Sequence, residues 1–174
     1  MNIPGLGSVI QGEDNEYQSR PIAVPVLGGQ LCSFIFEGYD DDEDQSAFHI
    51  AIANFLNLGE SALKAAEPHV FQYCKDSEEG WRSYGKNFKA IKKAAEVWKH
   101  VHFGREPVVS RRSYGDEGIY ISLECNCDWE VEHGLQIVFK NGLVVNKVGP
   151  YDGHLTNSDA YDDECLENVV YTKI

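Results

Sequence analysis

The chain has 174 residues, enough for one well-packed core. Fifteen Lys and Arg against twenty-eight Asp and Glu leave a formal charge of −13, a surface that repels phosphate backbones and anionic lipid and so argues against nucleic acid as a ligand, while attracting a basic protein or a cation. No run reaches the roughly 18 apolar residues of a membrane helix, the opening MNIPGLGSVIQGEDNEYQ lacks a basic segment leading into an apolar one, and five cysteines at 32, 74, 125, 127 and 165, odd in number and without a Cys-x-x-Cys pair, do not form a disulfide framework. The expectation is a single cytoplasmic domain over residues 1–174, without cofactor, membrane or nucleic acid.

Residues 1–39 carry strand patterns. LGSVIQ is short and extended, and PIAVPVLGGQLCSFIFEGY alternates around Gly28-Gly29, which predicts a hairpin. Ile22, Val24 and Val26 share one parity, as do Cys32, Phe34 and Phe36. Pro21 and Pro25 cannot donate to a ladder and place this segment at an edge. DDDEDQSAF comes next; its order lacks the alternation, glycine and closing Glu of a calcium loop, and acids here are expected to cap a helix and complement its dipole.

The segment 45–100 is expected to be helical. Phe48, Ala51, Ile52, Phe55 and Leu56 make one apolar face of a helix over 45–57. A second begins near Glu60 with Leu63, Ala66, Val70 and Tyr73, and Pro68 is expected to kink or divide it. A third, over about 87–100, places Ile91, Ala95 and Trp98 on one stripe, with Lys89, Lys92, Lys93 and Lys99 toward solvent.

From 106 to 149 the period returns to two. PVVSRRS leads into IYISLECNCDW, whose Ile119, Ile121, Leu123, Cys125, Cys127 and Trp129 all fall on one face of a strand. LQIVF alternates, KNGL predicts a two-residue hairpin turn, and VVNKVG returns. Residues 150–174 are expected to be loop and tail. Strands, helices, strands: the order predicts an α+β fold, a mainly antiparallel sheet from N- and C-terminal hairpins with about three helices on one face.

Chemistry-bearing residues gather in two places, DWEVEHG and GPYDGHLTN. Glu130, Glu132 and His133, with Asp152 and His154, are candidates for a base and its orienting acid. No Gly-x-Ser-x-Gly elbow, His-Glu-x-x-His or phosphate loop supplies the rest of a hydrolytic site. Cys125, Cys127, His133 and His154 have the atom types of a zinc site. However, Cys-x-Cys on a strand separates its sulfurs by about 7 Å, more than one zinc ion with bonds of about 2.3 Å to sulfur bridges easily, so buried thiols are the simpler account. The plain alternative for both segments is a pair of corners: Trp129 closing its strand, EVEHG reversing the chain with Gly134 at the bend, Pro150 and Asp152-Gly153 turning, and Asn157 with Ser158 capping the next segment. A third reading is an interaction surface, with Trp129, Glu130, Tyr151, Asp152 and Tyr161, helped by Tyr114 and Trp81, meeting a basic partner.

IFEGYDDDEDQSAFHIAIANFL, ALKAAEPHVFQYC, DWEVEHGLQIVF and VGPYDGHLTN resemble a bacterial family known as a domain of unknown function, over about 20–161. That resemblance implies a family without assigning an activity. In style the chain is also similar to the small acidic cytoplasmic proteins that accompany bacterial toxins as immunity factors. The expected function is therefore non-catalytic protein binding, in the manner of neutralising a basic toxin. The alternative is a hydrolase or metal-dependent enzyme centred on His133 and His154.

Overall fold

The computed structural model describes residues 2–12, 16–83 and 90–173, with side chains throughout these except at 79–83. In chain order the strands are β1 (Asn2–Ile3), β2 (Gly7–Gln11), β3 (Tyr17–Ser19), β4 (Ile22–Val24), β5 (Gln30–Cys32) and β6 (Ile35–Phe36). Helices α1 (Gln45–Leu56) and α2 (Ser61–Ser83) come next, then β7 (Val101–Phe103), β8 (Val108–Arg111), β9 (Ile119–Cys127), β10 (Glu130–Lys140), β11 (Val144–Gly149) and the short α3 (Asn157–Tyr161). The main sheet runs β1-β2-β3-β6-β8-β9-β10-β11, with β7 also on β9. Its pairs are antiparallel except β6 with β8, the two strands that the helical segment connects. The fold is α+β, as the order of patterns predicts.

Apolar side chains at every second position build the helix-facing side of the sheet, and the centres of β9 and β10 are buried on both faces. Ile119, Ile121, Leu123, Cys125 and Cys127 are all buried toward the helices, together with Trp129 at the strand end. Helix α1 lays Phe48, Ala51, Ile52 and Phe55 on that face, and the Phe55 ring meets Phe34 at 6.1 Å and Phe139 at 5.2 Å, edge on. Each such ring buries enough apolar area to stabilise by about 1.5–3 kcal/mol. Helix α2 contributes Ala66, Val70, Tyr73 and Cys74. Pro68 lies inside α2 without ending it. It is on the exposed side, where water can take the carbonyl that its missing N–H leaves free.

Several expectations are corrected. The Gly28-Gly29 hairpin forms as β4–β5, but as a separate two-stranded ribbon off the main sheet. Pro25 opens a 3-10 turn over Pro25–Leu27, with Gly28 left-handed at its end. The third helix is not found over its described part: 87–89 lie outside the described residues, 90–93 are not helical, and Ala94–His100 is 3-10. Ile91 and Val97 are buried there while Ala95 is exposed, because three residues per turn give a different stripe from 3.6. Trp98 instead stacks on Phe103 at 6.1 Å and donates to Glu67 at 2.8 Å. The acids before α1 do not cap it by side chain. Asp42 instead accepts from Arg111 Nε and Nη2 at 2.5 and 2.9 Å.

The two C-terminal turns also differ from the simplest pattern. Lys140 pairs with Val144, so three residues close the β10–β11 turn, and a bulge at Val138/Phe139 absorbs the change of register. In DWEVEHG the chain reverses at Asp128-Trp129, before the expected bend. Glu130 pairs with Cys127 and Leu135 with Cys125, leaving an enlarged bulge between. Glu130 Oε1 accepts from the N–H groups of Glu132 and His133 at 2.8 and 3.3 Å and so organises that bulge. Gly134 has a positive φ of 66°, and a Cβ there would stand 2.5 Å from the Cys125 carbonyl oxygen.

Candidate functional site

The sheet face turned away from α1 and α2 carries the even-numbered residues of β9. It is covered in part by the segment after β11, and beside the buried Tyr120 and Val138 it buries Ser122, Gln136 and Lys147. Gln136 Nε2 donates to Ser122 Oγ at 2.9 Å, and Gln136 Oε1 accepts from Lys147 Nζ at 3.0 Å. Lys147 is 1 % exposed. Its remaining bonds go to the Asp152 carboxylate and to the His154 carbonyl, the latter at 3.1 Å. Burial pulls the lysine pKa down while Asp152 opposes the shift. Three acceptors match the three N–H bonds of an ammonium, so Lys147 ties the 152–154 turn to the sheet.

Arg112 does the same for the next stretch. It is buried beneath α3 and donates to Asp159 through Nε (2.9 Å) and Nη2 (2.6 Å), and to Glu167 through Nη1 (2.5 Å) and Nη2 (2.9 Å). Glu167 and Asp159 hold its guanidinium pKa above the ordinary range, and Arg112 with Ser158 holds Glu167 below the usual carboxylate value. Thr156, not Asn157 or Ser158, caps α3 by accepting from the Asp159 N–H. Asn157 reaches the carbonyls of Val169 and Val170 instead.

Two clefts flank this polar layer. One, of about 400 Å³, has Ser110, Ser122, Gln136, Arg111 and Arg112 in its wall and Glu37, Tyr114, Tyr151 and His154 around it. The other, of about 680 Å³, is walled by Asp116, Asp159, Asp162, Asp163, Glu164 and Glu167, with Tyr114 and Arg112. In the second, Asp116 pairs with Lys140 and Arg112 takes Asp159 and Glu167. Asp162, Asp163 and Glu164 are exposed and pair with no cation among the described residues.

The residues singled out from sequence separate accordingly. Tyr151 and His154 line the first cleft, with Asp152 just behind. Tyr151 is 41 % exposed; Tyr161 is half-buried, and burial with Asp152 nearby raises its pKa. Trp129 is wholly buried, edge on to Tyr73, and is unavailable as the partner contact it was expected to make. Its Nε1 has no hydrogen-bond partner among the described residues. Glu132 is exposed, and its backbone joins the bulge. His133 faces Glu130 at 3.8 Å and His154 faces Asp152 at 3.4 Å, so the two imidazoles answer to different carboxylates. The DWEVEHG and GPYDGHLTN segments meet through backbone, the Tyr151 N–H donating to the His133 carbonyl at 3.2 Å.

Cys125 and Cys127 are buried, and burial pushes each thiol up to about 12. Among the described residues no group of three or more His, Cys, Asp or Glu is arranged to hold a metal ion, and no helix is long and apolar enough to cross a membrane. Trp81, expected at the interaction surface, has its side chain outside the described residues.

Sequence reasoning passed over Lys147, Gln136, Ser122, Arg112, Ser110 and Glu37. The one signal available was a lysine inside VVNKVG and an arginine pair inside VVSRRS, cations set in otherwise apolar strands that burial obliges to find partners. A family model, DUF6985, a domain of unknown function, matches residues 6–155. No curated protein and no solved structure matches the chain.

Proposed function

We propose a function from the premise that the chain belongs to the DUF6985 family, a domain of unknown function that lends it no activity: it is a non-catalytic module that binds a basic protein, as an immunity factor neutralises a basic toxin. The observation that carries the reading is the second cleft, where Asp162, Asp163 and Glu164 stand exposed without cations among the described residues beside Tyr114, which is 62 % exposed. Unpaired carboxylates steer a cationic partner at long range, and an exposed aromatic ring supplies contact area once it arrives. A formal charge of −13 adds to the steering.

The test is binding of poly-L-lysine by the wild type and by the triple variant D162N/D163N/E164Q, at low and moderate salt. The expected result is affinity that falls at least tenfold with salt for the wild type and severalfold in the triple variant. Affinity flat in salt, or equal in the two proteins, overturns the reading. The enzyme alternative has a direct check of its own: a stoichiometric transition metal in the purified protein would favour it over binding.

A further inference from the structure

The first cleft is polar, and its exposed acceptors are not occupied by cations of the described residues. Ser110 is 9 % exposed, lines the cleft, and its hydroxyl has no hydrogen-bond partner among the described residues. Glu37, at the end of β6, opens onto the same space and pairs with no cation among the described residues. Although Glu37 is exposed at the rim, desolvation against the wall, with Glu16 close by, pushes its carboxyl pKa upward. Tyr151 lines the same cleft, where burial, with Glu124, Glu37 and Asp152 nearby, raises the pKa of its hydroxyl.

The two arginines in the wall do not make this an anion site. Arg111 is taken by Asp42 and by the carbonyls of Glu117 and Asp44. Arg112 is taken by Asp159 and Glu167. An anion would have to displace a carboxylate already in place. A cation with N–H donors would meet a free carboxylate, a free hydroxyl and an exposed aromatic ring. A planar guanidinium suits that set better than an ammonium, since it bonds a carboxylate through two N–H groups while stacking on a ring. At about 400 Å³ the cleft is at the small end of ligand sites and accommodates one long side chain.

We infer that this cleft receives a single arginine side chain of the basic partner, its guanidinium paired with Glu37, hydrogen-bonded to Ser110 and lying against Tyr151. The inference rests on the proposed binding function and specifies the chemistry the partner must present. Asp162, Asp163 and Glu164 supply attraction at a distance, and the first cleft selects arginine over lysine.

The experiment is an NMR titration of the native full chain with N-acetyl-arginine methylamide, and with the citrulline analogue, which has the same shape without the charge. The expected result is saturable shifts at the amides of Glu37, Ser110 and Tyr151, with affinity at least fivefold weaker for the citrulline and lysine analogues. E37Q should weaken the arginine probe at least fivefold while leaving poly-L-lysine binding within twofold. S110A, a smaller change in a position that tolerates it sterically, should weaken the arginine probe by a lesser factor. Shifts confined to the Asp162–Glu164 wall, equal affinity for arginine and citrulline, or no effect of E37Q overturns the inference. Loss of poly-L-lysine salt dependence with the arginine shifts intact would overturn the broader binding proposal alone.

Discussion

Gly142, in the β10–β11 turn, lies against the carbonyl of Ala51 in α1: a Cβ on Gly142 would overlap that oxygen and stand 3.1 Å from the Phe55 nitrogen. Its φ is 67°, and the preceding Asn141 is also left-handed at 51°. Asn54 Nδ2 donates to the Asn141 carbonyl at 3.0 Å, fixing the turn to the helix. Gly142→Ala therefore forces backbone apart at a contact with no flexible side chain to yield. The left-handed conformation costs about 1–2 kcal/mol and the overpacking about 1–3 kcal/mol more. Urea unfolding should show a lower midpoint with an unchanged slope; an unaltered midpoint would show that α1 and the turn are not in this contact.

Arg112 is the pin of the C-terminal segment. Replacing it with Met keeps an unbranched apolar stem, removes the guanidinium and leaves Asp159 and Glu167 uncompensated, a loss of about 3–5 kcal/mol by analogy with other broken buried pairs. The effect should be localised: residues 156–173 should become sensitive to protease before the rest of the chain does. If cutting remained as slow as in the wild type while overall stability fell, the guanidinium would be supporting the sheet and not the segment.

Acid should weaken the protein through Asp116. Burial works against its charge, but Lys140, the Gly118 N–H and Tyr120 outweigh it and bring the carboxyl down to about 2 from an ordinary 3.8. A carboxyl with a depressed folded value stabilises above its unfolded pKa, and that contribution disappears as pH falls from about 4 through about 2. The difference corresponds to about 2 kcal/mol. Stability by denaturant at pH 6 and at pH 2 should fall by that much more in the wild type than in Asp116→Asn. Equal losses in the two proteins would remove Asp116 from the account.

Thiol reactivity should divide the five cysteines one against four. Cys32, Cys74, Cys125 and Cys127 are buried and Cys165 is exposed. Burial pushes Cys74, Cys125 and Cys127 up to about 12, and the thiolate is the reactive form. Native protein at pH 8 should take up one equivalent of a thiol reagent quickly, and the other four only on unfolding. Rapid modification of Cys125 or Cys127 in native protein would contradict the inward face of β9.

Much of the architecture was legible because it follows from local periodicity. The odd-numbered row from Ile119 to Trp129, the α1 stripe of Phe48, Ala51, Ile52 and Phe55, and the Asn141-Gly142 turn each announce themselves within a dozen residues. The polar layer was not legible. Arg112 finds its carboxylates 47 and 55 positions away and Arg111 finds Asp42 at 69, separations at which no spacing rule operates. The segment around Ala94–His100 carries an apolar stripe of Ile91, Ala95 and Trp98 at helical spacing, yet it packs against β7 and α2 as a 3-10 stretch.

By itself, then, the order of residues determined which side chains share a face, where α1 and α2 run, and the acidity of the surface, since these depend on neighbours in the chain and on bare counts of charge. Only tertiary structure decided that Glu130 shapes a bulge, that His133 and His154 turn to separate carboxylates, and that Lys147 and Arg112 each tie a distant segment to the back of the sheet. The reason is physical: a buried charge must have a counter-charge, but which one it meets depends on how strands far apart in sequence come to lie side by side.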